Sequence, residues 1–148
     1  MVQHSIGLSL VYPPKAFVIE TPDDPADLFR LRLRQPPSAH LTYALLTVHR
    51  EATVNWHACL DTPITDMQPA GKRVVNGQGY ITYTATFYGP GETAFVRAYR
   101  TYDMTTTACA TLYLEVGAAV PGLEISAEEK DAAFQPLEAV LETATWKR

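Results

Sequence analysis

A chain of 148 residues is the size of one domain, large enough to bury a continuous core without a metal clip. Its formal charge of −4 argues against whole-surface attraction to nucleic acid or anionic lipid, and eleven prolines with eight glycines argue against a helical bundle. No run approaches the ~18 apolar residues of a membrane span. The charge is unevenly spread: residues 30–100 carry eight bases against four acids, between two acidic ends. Mutual pairing of the basic middle with the acidic ends is the expected outcome on folding.

The opening "MVQHSIGLSL" has no basic region, apolar stretch and small-residue cleavage site, so it reads as the start of a mature or shortened chain. Ile6 to Tyr12 is a short apolar run stopped by Pro13-Pro14, a strand, and Ala16 to Glu20 reads as a second. "TPDDPAD" is turn chemistry. In "LFRLRLR" the side chains alternate strictly, with Phe29, Leu31 and Leu33 on one face and Arg30, Arg32 and Arg34 on the other. A helix would scatter those arginines, so this is a strand, and "LTYALLTVHR" (41–50) is its hairpin partner.

Residues 51–70 resist assignment, with a helical turn expected from Val54 to Leu60 and a proline-punctuated loop after it. Three strong β signals follow "NGQG": "YITYTATFY" (80–88), "TAFVRAYRTY" (93–102) and "ACATLYLEV" (108–116). Their short connections, "GPGE" and "DMTTT", make an antiparallel meander. Within the first, Ile81, Tyr83, Ala85 and Phe87 form the expected core face. Tyr80, Thr82, Thr84, Thr86 and Tyr88 form an amphipathic one. The end of the chain changes period. Ser126 and Glu129 make a capping box, and Phe134, Leu137, Val140 and Leu141 recur at helical spacing. Pro136 inside that pattern predicts a kink or a restart. The expected fold is a single α+β domain over residues 1–148: an antiparallel meander covered by helices.

Signals of chemistry are sparse. His49, Glu51 and His57 lie close in sequence, but their spacing matches no helical two-histidine site, so neither metal nor cofactor is expected. The sequence shows no nucleophile elbow, catalytic-cysteine signature or phosphate-cradling glycine loop. The two cysteines are more informative. Cys109 lies off the apolar face of its strand, which Ala110, Leu112, Leu114 and Val116 occupy. Cys59, fifty residues earlier, is its one possible mate. Two readings stand at this point, a disulfide or two reduced thiols in a cytosolic protein.

The order "GLSLVYPPKAFVIE", "VVNGQGYITYTATFYGPGETAFVRAYRTY", "ACATLYLEV" and a final helix ending "LETATWKR" resembles small exported bacterial proteins, often lipoproteins, with a PsbP-like fold. The matching positions are Gly7, Tyr12, Pro13, Asn76, Gly77, Tyr99, Arg100, Tyr102 and Cys109, with Cys59 as its mate. The resemblance implies an α/β/α sandwich, a Cys59–Cys109 disulfide, and a periplasmic or extracellular location. It also implies a non-enzymatic binding or assembly-support role. The partner would be another protein or an envelope component, not nucleic acid, with any membrane contact made through an N-terminal anchor.

The expected working surface is basic and aromatic: Arg30, Arg32, Arg34, Arg97 and Arg100 with Tyr99 and Tyr102. It requires those arginines to share an uncovered face, because a helix lying over them would pair them with its own acids. The rival is a small cavity-bearing enzyme, a hydrolase or isomerase, using His49 or His57 with Glu51 or Asp61.

Overall fold

The computed structural model describes the backbone of residues 2–5 and all of residues 7–52, 55–119 and 125–147. Ile6 and Val54, which bound two of the expected elements, lie outside the described residues. The chain order is β1 (Val2–Ser5), β2 (Leu8–Val11), β3 (Phe17–Glu20), β4 (Asp27–Leu33), β5 (Leu41–Ala52) and α1 (Trp56–Leu60). It continues with β6 (Gln68–Val75), β7 (Gln78–Gly89), β8 (Glu92–Asp103), β9 (Ala108–Ala118), α2 (Ala127–Leu141) and β10 (Thr145–Trp146).

Seven strands form one antiparallel sheet in the order β3-β4-β5-β9-β8-β7-β6, and β1, β2 and β10 form a small second sheet. The meander is therefore extended at one end by β6 and at the other by the β5–β4–β3 hairpins. β6 begins at the end of the 51–70 stretch and is not among the strands expected from sequence: its residues are almost all exposed, so it carries no apolar alternation. It is an edge strand marked by Pro69, an extra residue at Ala70 where the register shifts, and Lys72. Asn76 and Gly77 both have positive φ, 48° and 82°, and join β6 to β7 as a two-residue turn between paired Val75 and Gln78. Such primed turns suit the twist of a hairpin. The Asn76 side-chain amide then donates to the carbonyls of Glu142 and Ala144, tying this turn to the end of α2.

α2 lies over one face of the sheet. Phe134, Leu137, Val140 and Leu141 pack on Phe29, Leu31, Leu46, Val48, Leu112, Leu114 and Val116, all buried. Ser126 caps the helix by accepting from the Glu129 amide at 3.1 Å. The reciprocal half of the box is absent: the Glu129 carboxylate instead accepts from Ser38 at 2.7 Å and meets His40 at 3.0 Å. Of the kink or restart expected at Pro136, the restart does not occur: α2 runs through it as one helix. Its buried stripe on both sides of the proline outweighs the one missing amide bond.

The division of β7 also differs from expectation. Tyr80 belongs to the main core, with its hydroxyl accepting from Trp146 Nε1 at 2.7 Å. Tyr83, on the other face, joins a second cluster with Met67, Val96 and Ala98. Both faces of the strand carry core because both faces of the sheet are covered. α2 and β10 cover one, and the 55–67 segment partly covers the other.

α1 and the loop after it lie on the face opposite α2. Asn55 caps α1, accepting from Ala58 N at 2.8 Å. Cys59 of α1 is bonded to Cys109 of β9, with Cα atoms 5.3 Å apart. The cystine anchors a five-residue helix too short to hold itself.

Candidate functional site: a groove on the open face

Cross-strand register decides where the sequence-predicted residues lie, because directly paired residues share a face. Arg30 pairs with Thr47, Thr47 with Tyr113, and Arg100 with Thr111. These, with Arg32, Cys109 and Tyr102, lie on the face opposite α2, here called the open face. Arg97 and Tyr99 pair with Leu114 and Leu112 and face α2 instead. The seven expected surface residues are therefore not one surface.

On the helix side the arginines are matched. Arg97 meets Asp131 at 2.6 Å and Glu138 at 3.3 Å, with its guanidinium 4.1 Å from the Phe134 ring centre. Arg73 meets Glu138 at 2.7 Å and Glu142 at 3.0 Å, and the Tyr99 hydroxyl donates to Glu138. Burial first, then the bond to Glu138, hold the Tyr99 hydroxyl well above the ordinary tyrosine range. Here the helix covers the basic residues and pairs them with its own acids, so Arg97 and Tyr99 are structural.

On the open face the arginines are used differently. Arg32 is ion-paired to Glu20. Arg34 donates to the Pro14 carbonyl at 3.2 and 3.3 Å. Arg100 donates to Thr111 at 3.1 Å and to the Thr62 carbonyl at 3.3 Å, stitching the 61–67 loop to the sheet. Tyr102 lies near the far end of β8, beside a separate pocket with Trp146 and Asp103. Arg30 donates through Nε to Thr47 at 3.3 Å.

Between the loop and strands β4, β5, β7, β8 and β9 runs a groove of about 340 Å³. Ile64, Thr65, Met67, Phe87 and Val96 form one side, and Asp27, Arg30, Thr47, Tyr113 and Glu115 the other. The Glu115 carboxylate accepts from the Tyr43 hydroxyl at 2.6 Å. Tyr43 lies across Gly117, where a Cβ would come within 2.0 Å of the ring, so that glycine is required by the ring's position. Beyond the groove's Asp27 end, His49 Nδ1 meets Asp27 at 2.7 Å and Nε2 meets Glu51 at 3.2 Å, while its ring stands edge-on to Tyr113 at 6.1 Å. Burial pulls the imidazole pKa down, but the hydrogen bonds and charges of Asp27 and Glu51 outweigh it and hold it above 6.5.

The candidate catalytic histidines do not converge. His57 pairs with Asp61 at 3.1 Å on exposed α1, stacked on Trp56. His49's principal carboxylate is Asp27, twenty-two residues upstream, which no short motif could signal. Among the described residues, Asp24, Asp27 and His49 are the set with ligand atoms close enough to hold a cation, within 4.8 Å of one another. Asp24 already accepts from Ala26 N, and both ring nitrogens of His49 are engaged with carboxylates. In that state His49 is held between Asp27 and Glu51, and Asp24 is held by a backbone amide.

Fold and groove together define a small α+β domain built on a seven-stranded antiparallel sheet and cross-linked by a cystine that anchors a covering segment. No protein-family model matches the sequence, and no curated protein does. Solved structures do share its shape. One is LpqN, described as involved in cell envelope biogenesis of Mycobacterium tuberculosis: TM-score 0.60, 12% identity, covering 95% of this chain and 83% of that one. Another, from Bacteroides thetaiotaomicron, has a TM-score of 0.56 at 11% identity, covering 96% of this chain. This chain spans only 46% of that longer protein. At such identities the likeness speaks to the fold alone.

Proposed function

We propose that this chain is a non-enzymatic, extracytoplasmic binding or assembly-support domain of the PsbP-like exported kind, working through the open-face groove. The observation that carries the reading is the Cys59–Cys109 bond, which holds one side of the groove by a link suited to an oxidising compartment. LpqN, similar in fold, is described by its role in envelope biogenesis, which supports the same compartment. The partner is another protein or an envelope component.

Expression of the complete gene product in its host, with fractionation and thiol trapping, tests the compartment. An envelope fraction with the cystine formed is expected, and a cytosolic protein with two free thiols overturns the reading. Photo-crosslinkers at Thr47 and Phe87 are expected to capture an envelope component that a crosslinker at exposed Val74 on β6 does not.

The enzymatic alternative is favoured by one observation, the His49–Asp27 pair at the end of a groove. A positioned imidazole beside a carboxylate can take and return a proton. Loss of a groove-dependent turnover in His49→Asn, with ligand binding kept, would establish it.

A further inference from the structure

We infer that the groove takes a small amphipathic anion, its apolar body on Ile64, Met67, Phe87 and Val96 and its charged head at Arg30. This rests on the groove being the working surface and names the class of ligand it selects. The argument is an account of hydrogen-bonding capacity. Each carboxylate in the groove already has a donor: Glu115 takes the Tyr43 hydroxyl and Asp27 the His49 imidazole. Among the described residues the Arg30 side chain makes one hydrogen bond, through Nε to a threonine hydroxyl, and no carboxylate lies within ion-pair distance of it. Arg32, Arg73 and Arg97 each have such a partner.

A guanidinium has five N–H donors and keeps its charge at every working pH. The cation at the groove's side therefore keeps four unused N–H donors and an unpaired charge, while each groove carboxylate is already engaged by a donor. Met67 and Val96 are buried, Ile64 is half-buried and Phe87 is 43% exposed, giving an apolar wall opposite that head. About 340 Å³ lies at the lower end of small-molecule sites, which suits a short acyl chain or a fused-ring body rather than a long lipid.

The test uses the folded, oxidised chain with the fluorescent aromatic sulfonate 1-anilinonaphthalene-8-sulfonate, displaced by octanoate or by octanamide, which share an apolar tail. Octanoate is expected to displace the dye at a concentration about tenfold lower than octanamide, as one charge-assisted contact dictates. Arg30→Gln is expected to erase that preference while Lys72→Gln on β6 keeps it. Ile64→Glu, which sets a negative charge in the groove, is expected to abolish octanoate binding in a chain that still melts cooperatively. Equal competition by acid and amide, or an octanoate preference that survives Arg30→Gln, overturns the inference. If crosslinks at Thr47 and Phe87 capture an envelope component while the acid shows no preference, the binding role stands and the ligand class falls.

Discussion

The two faces of the main sheet hold the same chemical types, arginine, tyrosine and glutamate, and use them for different ends. Beneath α2, Arg73 and Arg97 converge on Glu138, and the Tyr99 hydroxyl joins them. On the open face, Arg30, Arg34 and Arg100 donate to threonine hydroxyls and backbone carbonyls. The lesson is one of register. Tyr99 and Arg100 are adjacent in sequence, yet one is locked to a helix and the other faces the solvent side.

The largest effect is expected where the helix face holds its core. Phe134→Ala should cost about 3–5 kcal/mol in a urea melt, since the ring is buried and also lies under Arg97. A smaller loss would mean that α2 is less firmly seated than the paired charges imply. Replacing both cysteines by serine should cost about 2–4 kcal/mol in the same measurement. Hydrogen exchange should then rise first in α1 and the 61–67 loop, which separates the open face from the helix side.

Glu138→Gln sharpens the comparison further, because it removes the charge that two arginines share at a carboxylate only 16% exposed. A loss of about 1–3 kcal/mol is expected by urea titration. His49→Asn probes the open face through pH. The folded pKa of His49 lies above its unfolded value, so its stabilisation is fully present below about 6.5 and fades as pH rises through the folded pKa. The variant should therefore be more destabilising at pH 6 than at pH 9 in paired melts. Arg30→Gln should change stability by less than about 0.5 kcal/mol, as a groove residue without a carboxylate partner predicts. A large loss there would dissolve the distinction between the two faces.

Much of the fold was legible. Strict alternation identified the arginine strand, aromatic and β-branched runs identified the meander, and Ser126 marked the start of α2. β6 was not legible, because a solvated edge strand has no apolar face to repeat. Tyr80 was misread because alternation separates two faces without saying which one a helix will cover. The site was less legible than the fold. Which arginines share a face depends on strand order, and the His49–Asp27 contact depends on β4 lying beside β5. The cystine, left open by spacing and implied by resemblance, is present.

β6 ends the sheet with Pro69, an irregular step at Ala70, and Lys72. A neighbouring copy approaching this margin would find one backbone amide missing, the next out of step and a like charge in its path. At this margin, crowding such molecules side by side therefore gives a poor template for a growing cross-β stack. The protection belongs to this margin of the seven-stranded sheet, whose other margin is β3.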